Sequence, residues 1–378
     1  MKFIPYGRQY IDKKDINAVS RVLKNDIITS GNQVLTFEKK LNKYLKCKYT
    51  TVCNSGTSAI YLSLLSINLK KNDVIIMPAI NFIASFNIAK TIGAKIYLAD
   101  VDSKTGQMSP EHVEECCKKF KIRKAKAIIV MYNGGYPHNA EKFLKFKKKL
   151  SCFIIEDACH ALGASYRYKN SIKKIGSCSH SDICTFSLHP LKTITSGEGG
   201  IVSTNSRYLD EKIKMYRSLG IRKLNNNHWQ YDVSLSGFNF RLNEFQSALG
   251  ISQLNKINLF IKRRKQIAKV YDKELKKIKE LNIPKYNSNL IPSYHLYLIN
   301  SNFSLDKKNK FFNFMKKKKI MVQYHYIPIY KFSNFSGKYI GKNAEIYFKS
   351  TVSLPIYYEL SRAKQNYVIN KLKEFFSY

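Results

Sequence analysis

Between residues 50 and 205 the chain alternates short apolar runs with segments whose apolar positions recur at helical spacing. Val74–Met77, Lys95–Ala99, Ala127–Tyr132 and Phe153–Glu156 read as strands, because buried parallel strands are short and largely apolar. Helical spacing fills the gaps between them, at Ile83–Thr91, Pro110–Phe120 and Asn139–Leu150. Strands separated by helices predict an α/β layer with a parallel sheet. Ile183–Ser187 and Gly200–Thr204 follow as strands with no helix between them, so the sheet is expected to be mixed, mainly parallel. A long helical stretch, Leu242 to about Leu281, leads out of this region.

The last third reads differently. Ser293–Ile299, Ile320–Tyr326 and Val352–Ile356 carry strand patterns, whereas Lys307–Lys318 and Ala363–Phe375 carry helical ones. Pro284 and Pro292, with Asn and Ser between them, punctuate the join. The expected architecture is a large α/β domain over residues 1–250 and a small C-terminal α+β domain over 251–378. A length of 378 residues suits that division, at roughly 100–200 residues per domain.

Apolar residues make up 44% of the chain and charged residues 24%, a balance that builds a core and excludes compositional disorder. No apolar run approaches the roughly 18 residues of a membrane span. Met1–Tyr6 also lacks the apolar core of a signal peptide, so a cytoplasmic protein with no membrane partner is expected. The formal net charge is +39, from 65 basic and 26 acidic residues. One reading is a nucleic-acid binder, which predicts tight, steeply salt-dependent association. The basic residues are 54 Lys and only 11 Arg, however, and base readers favour the bidentate fork of Arg. The densest clusters, Lys142–Lys149 and Lys307–Lys319, lie on helical patterns and read as solvated faces, so no nucleic-acid partner is expected. Eight cysteines include no CxxC pair, which argues against a zinc site or a disulfide framework.

Three segments carry candidate chemistry. In Ser187-Leu188-His189-Pro190-Leu191-Lys192 a strand ends and a loop delivers one lysine ahead of the turn Gly197-Glu198-Gly199-Gly200. Small, hydroxyl and glycine residues around Lys192 leave room for a bulky ligand at the backbone, and a lysine so placed can form a Schiff base with a carbonyl group. Asp157 follows the apolar run Phe153–Glu156, at the strand end where open α/β sheets bind ligands; an aspartate there is equally an ordinary helix cap. Asn54-Ser55-Gly56-Thr57-Ser58 opens a predicted helix, Ala59–Ile67. Backbone and hydroxyl donors at a helix N-terminus favour a phosphate, or merely cap the helix. Neither a P-loop nor a GxGxxG motif is present.

Together these segments resemble the sugar aminotransferases of the DegT/DnrJ/EryC1/StrS family. The family's Ser-Phe-His, Lys and Gly-Glu-Gly-Gly appear as Ser187-Leu188-His189, Lys192 and Gly197–Gly200, with Leu188 in the Phe position. Its Glu-Asp-Ala-x-His-Ala-Leu-Gly-Ala is Glu156–Ala164, and the likeness runs from Pro5-Tyr6 through Ser30-Gly31 to Ser353-Leu354-Pro355. The resemblance implies the fold type I architecture, a homodimer with a shared site, and pyridoxal 5'-phosphate as cofactor. Lys192 would be its Schiff-base lysine, Asp157 the partner of its ring nitrogen, and His160 a neighbour of its phenolic oxygen. Phe82 would stack on its ring; Thr57, Ser58 and Ser187 would hold its phosphate, and Asn239 would reach that phosphate from the partner subunit. Tyr6, Asp26, Ile27, Ile28, Thr29, Gly56, Gln323, Tyr324, His325 and Tyr326 match positions that contact substrate. Tyr324 and Tyr326 are equally readable as core residues of a strand. His228–Asp232, Arg241–Glu244 and Pro328–Tyr330 resemble the family branch that serves pseudaminic acid biosynthesis, though Trp229 is structural by default. That branch implies a UDP-linked 4-keto-6-deoxy-N-acetylhexosamine as acceptor and L-glutamate as donor. Legionaminic and perosamine precursors remain alternative acceptors.

Overall fold

The computed structural model describes residues 3–224 and 229–377. In chain order its first nine strands are β1 (Tyr49–Cys53), β2 (Val74–Pro78), β3 (Lys95–Ala99), β4 (Ala127–Met131), β5 (Phe153–Asp157), β6 (Ser165–Tyr168), β7 (Ser171–Lys174), β8 (Ile183–Ser187) and β9 (Gly200–Thr204). An exposed hairpin follows, β10 (Ile221–Lys223) and β11 (Tyr231–Val233). The last strands are β12 (Leu281–Asn282), β13 (Leu290–Ile291), β14 (Tyr297–Ser301), β15 (Lys338–Tyr339) and β16 (Thr351–Leu354). Eight of these form the main sheet, in the order β1-β9-β8-β5-β4-β2-β3-β15. From β8 to β15 neighbouring strands are parallel, while β9 pairs antiparallel with both β8 and β1. The mixed, mainly parallel α/β architecture expected from the alternating pattern is therefore present.

The helices are α1 (Lys13–Val22), α2 (Asn32–Leu45), α3 (Gly56–Ser66), α4 (Ala84–Ile92), α5 (Pro110–Phe120), α6 (Lys145–Lys149), α7 (Arg207–Arg217), α8 (Glu244–Leu254), α9 (Ile257–Leu275), α10 (Leu305–Lys317), α11 (Lys342–Ser350) and α12 (Arg362–Phe376). Most are amphipathic and bury one stripe. Helix α3 buries Ala59, Ile60, Leu62, Ser63 and Leu64, more than one stripe, as a helix must when it is packed between the sheet and neighbouring helices. No helix among the described residues is long and apolar enough to cross a membrane.

Two hydrophobic cores result. The larger surrounds the main sheet, and the smaller joins α9, α10 and α12 to β14 and β16, the latter two paired antiparallel. Packing crosses the expected boundary at residue 250 in both directions. Leu254, Ile257 and Phe260 pack in the large core, as do Ile329, Ala344 and Tyr347, whose neighbour β15 extends the main sheet; Ile4 packs in the small one.

Some elements differ from the pattern-based expectation. Ile320–Tyr326 forms no strand; it makes isolated bridges at Ile320 to Ile4 and at Gln323 to Ser353. It passes between two partners rather than along one edge. The stretch Leu242–Leu281 contains two helices, α8 and α9, separated at Asn255 and Lys256. Asn139–Leu150 is a 3₁₀ segment, Ala140–Leu144, followed by α6. Helix α3 starts at Gly56 rather than Ala59, because Ser55 caps it by accepting the Ser58 N–H at 3.0 Å.

Candidate active site

The carboxyl ends of β5 and β8 meet the N-terminus of α3 beside a cleft of about 630 Å³. This is where an open α/β sheet presents its ligand-binding crevice. Asp157, the last residue of β5, is aligned with Met131 of β4 and Thr185 of β8. Its carboxylate is buried and accepts the Ser85 hydroxyl at 3.0 Å on Oδ2 and the Cys159 N–H at 3.4 Å on Oδ1. Asn81 donates in turn to Ser85 at 3.4 Å, so α4 and the turn before it fix the carboxylate from below. Nothing in the sequence pattern singled out Ser85.

Lys192 stands on a loop that closes on itself. Leu188 N–H donates to the Gly199 carbonyl, and Ser196 N–H and Thr195 Oγ1 return to the Leu188 carbonyl. Gly197 turns the loop at φ +80°, with open space where a side chain would lie. Leu188 is fully buried, so the departure from the family's Phe is a core substitution. Burial lowers the Lys192 ammonium pKa, an effect opposed by nearby Cys159 and Asp157. The amine is thereby easier to deprotonate than an exposed lysine.

The first turn of α3 forms an anion cradle. Gly56 and Thr57 line the cleft beside Ser187, where backbone N–H groups and the helix dipole favour a negative charge. A Cβ on Gly56 would lie 2.8 Å from Cβ of Ser187, so only glycine fits the close approach. Thr57 is exposed to the cleft, whereas the Ser58 hydroxyl is spent inside the turn, donating to Asn54 Oδ1 at 2.6 Å.

Opposite stands an aromatic and imidazole wall. His160 packs against His295, with centroids 4.2 Å apart and the rings tilted by 37°, and meets the Tyr326 hydroxyl at 2.8 Å through Nε2. His325 bonds Ser353 Oγ through Nδ1 at 2.8 Å and packs 5.4 Å from the Tyr6 ring. Burial drives all three imidazole pKa values down, that of His325 to about 3. Phe82 is 54% exposed at the cleft and lies 5.8 Å from the Tyr326 ring. Gln323 and Tyr324 complete this side. The pattern did not point to His295, which it placed inside the expected strand Ser293–Ile299; the strand observed there, β14, begins only at Tyr297.

The structure thus brings Tyr6, Gly56, Thr57, Phe82, Asp157, His160, Ser187, Lys192 and Gln323–Tyr326 to one cleft. Ser58 lies one residue behind it. Two groups are elsewhere on the same chain. Asp26, Ile27, Ile28 and Thr29 are exposed and are tied to Asn243 and Glu244 by backbone contacts at Thr29 and Ile28. Asn239 is exposed beside Ser218 at the base of the β10–β11 hairpin. Trp229, on the same hairpin, is 63% exposed, and His228 lies outside the described residues.

Known proteins match the chain along nearly its whole length. The UDP-4-amino-4,6-dideoxy-N-acetyl-beta-L-altrosamine transaminase of Campylobacter jejuni (strain 81-176) is 35% identical over 98% of this chain and 96% of its own. GDP-perosamine synthase of Escherichia coli O157:H7 is 30% identical over the full length of both. Among solved structures, Helicobacter pylori PseC, an aminotransferase involved in the biosynthesis of pseudoaminic acid, superposes with a TM-score of 0.89 over the whole of both chains, at 31% identity. With residues 9–373 matched by the family's model as well, the chain belongs to the DegT/DnrJ/EryC1/StrS aminotransferase family.

Proposed function

We propose that this aminotransferase moves an amino group from L-glutamate to C4 of a UDP-linked 4-keto-6-deoxy-N-acetylhexosamine, using pyridoxal 5'-phosphate. The product would be UDP-4-amino-4,6-dideoxy-N-acetyl-β-L-altrosamine, a precursor for pseudaminic acid. The observation that carries the chemistry is the meeting of Lys192, Asp157 and the α3 cradle in one cleft. The cofactor's parts have matching counterparts: a cradle at Gly56 that a Cβ would fill, a buried carboxylate, and a partly desolvated amine. The acceptor assignment is supported by the likeness to the Campylobacter jejuni transaminase.

Bound there, pyridoxal phosphate supplies an electron sink for carbanion chemistry. Gly56, Thr57 and Ser187 bind its phosphate, and Asp157, held by Ser85, keeps its ring nitrogen protonated. Lys192 carries a proton to and from the reacting carbon, a role suited to an amine whose pKa burial has lowered. Phe82 and the imidazole wall exclude water from that carbon. Completion of the site by Asn239 of a second copy, in a cytoplasmic homodimer, is part of the same reading. Large exposed side chains on the hairpin (Trp229, Tyr231 and Val233) support an interface there.

A second reading keeps the chemistry and changes the sugar, since a perosamine synthase matches over the full length. The deciding experiment incubates the reconstituted protein with L-glutamate and either UDP- or GDP-linked 4-keto sugars, resolving C4 stereochemistry in the product. Amination of the UDP-linked N-acetyl sugar to the altro product supports the first reading. Turnover of the GDP-linked sugar alone refutes it. Borohydride should also fix the cofactor covalently on Lys192.

A further inference from the structure

Helix α10 carries lysines on its solvent side, at Lys307, Lys310, Lys316 and Lys317, but Lys308 points inward and is 2% exposed. Burying an ammonium group demands compensation, and among the described residues no carboxylate pairs with it. Its compensation is a box of three groups. Nζ donates to the Phe348 carbonyl, sits 4.6 Å from the Tyr324 ring centroid and lies 5.0 Å from that of Phe348. Tyr324 is held on its other sides by Phe312, stacked at 4.6 Å and 24°, and by Phe348 at 5.4 Å. The same Tyr324 lines the cleft next to Gln323. With Phe312 stacked on the Tyr324 ring and Lys308 over it, the ring is fixed in place beside the Gln323 amide, which suits an extended pyranose ring with its hydroxyls better than a small dicarboxylate.

We propose that Lys308 is a positioning residue for the acceptor sugar, holding the Tyr324 ring as a fixed wall of the cleft through its cation–π contact. The inference rests on the aminotransferase reading above. The contact is strong only while the lysine is charged and desolvated. Burial pulls the Lys308 pKa down to about 7, so that charge is lost on mild alkalinisation. Charged groups around the box include Lys331, 5.7 Å from the Phe348 ring, and Glu345, which pairs with Lys331 and Lys349 at 2.9 and 3.6 Å. His189, which also lines the cleft, has its pKa lowered by burial and lies outside the box.

The test uses the holoenzyme and measures the two substrates separately. In Lys308→Met, KM for the keto-sugar nucleotide should rise roughly five- to tenfold, with KM for glutamate and kcat within about twofold. Tyr324→Leu should show a similar rise, and Lys308→Met added to it should contribute nothing more. The wild-type KM for the sugar should climb as pH passes 7, and both single variants should flatten that profile. A merely structural role would not produce this pH effect. An unchanged sugar KM in Lys308→Met, a rise shared equally by glutamate, or an undiminished effect in the Tyr324→Leu background would overturn the proposal. Should Lys308→Met fail to fold, the profiles of wild type and Tyr324→Leu decide: a flat wild-type profile, or equal slopes in both, overturns it. Lack of turnover by the wild type with glutamate and every keto-sugar nucleotide would refute the underlying reading, and is distinguishable because it precedes any variant.

Discussion

The hydroxyl of Tyr326 lies 2.8 Å from Nε2 of His160, whose Nδ1 accepts the backbone N–H of Gly134 at 3.3 Å. A backbone N–H can only donate, so Nδ1 carries no proton. Burial holds the His160 pKa well below its usual value, which leaves one ring proton, on Nε2. His160 therefore donates to Tyr326, and the phenolic proton of Tyr326 stays available to an acceptor in the cleft. ¹⁵N NMR should find His160 as the Nε2–H tautomer throughout pH 5–8. Tyr326→Phe would strand that N–H and should cost about 1–3 kcal/mol in urea unfolding. A Nδ1–H signal would contradict the assignment.

Stability should fall on mild acidification. His160, His295 and His325 are buried with lowered pKa values, that of His325 at about 3. The unfolded chain titrates these groups near roughly 6.5. Between the folded and unfolded values the unfolded state binds more protons, so stability rises with pH across that interval. The contribution is complete above about 6.5 and is lost as pH falls toward the folded value, at up to ~1.4 kcal/mol per pH unit per group. His325→Gln should reduce the slope of unfolding free energy between pH 6 and 4 by about that amount. Equal slopes in wild type and variant would show that His325 is not held neutral.

The α3 cradle makes a steric prediction. Gly56→Ala places a Cβ 2.8 Å from Cβ of Ser187, closer than carbon atoms pack. Cofactor affinity, measured by titrating the apoprotein, should fall at least roughly tenfold. Adding Ser187→Gly relieves the clash and should recover part of the loss, despite removing a hydroxyl from the cradle. No recovery would mean that the crowding at Gly56 does not limit binding.

Much of this arrangement is legible in sequence because it depends on local order. Phe153–Asp157 and Ile183–Ser187 are apolar runs ending in polar residues, so both the strands and their chemical tips can be read. The cap at Ser55 is equally local, although the apolar run beginning at Ala59 hid the true start of α3. Other features depend on distance in sequence. Glu244 accepts the N–H groups of Gly31, Gln33 and Val34, capping α2 from more than 200 residues away. No periodicity announces such a contact. Ser85 and His295 reach the cleft only through tertiary packing, and Lys308 breaks the rule that a lysine run on a helix is solvated. Gln323–Tyr326 read as a strand by alternation, yet these residues line the cleft instead.

Asp157 and Ser85 supply the last test. The aspartate's Oδ2 takes the Ser85 hydroxyl at 3.0 Å, while its Oδ1 has a longer contact, 3.4 Å, to the Cys159 N–H. Ser85→Ala removes the shorter bond and leaves the carboxylate charged but less fixed. Loss of orientation without loss of charge should lower kcat/KM for glutamate by roughly tenfold, with a stability change near 1 kcal/mol. Asp157→Asn keeps the shape and removes the charge that would hold a ring nitrogen protonated. It should cost on the order of 10²-fold or more in turnover while the protein remains folded, as judged by circular dichroism. The order of the two variants is the decisive result. If Ser85→Ala proved as damaging as Asp157→Asn, the serine would be acting on the reacting groups directly rather than through the carboxylate. If Asp157→Asn turned over at a near-normal rate, the carboxylate would have no part in activating a bound ring.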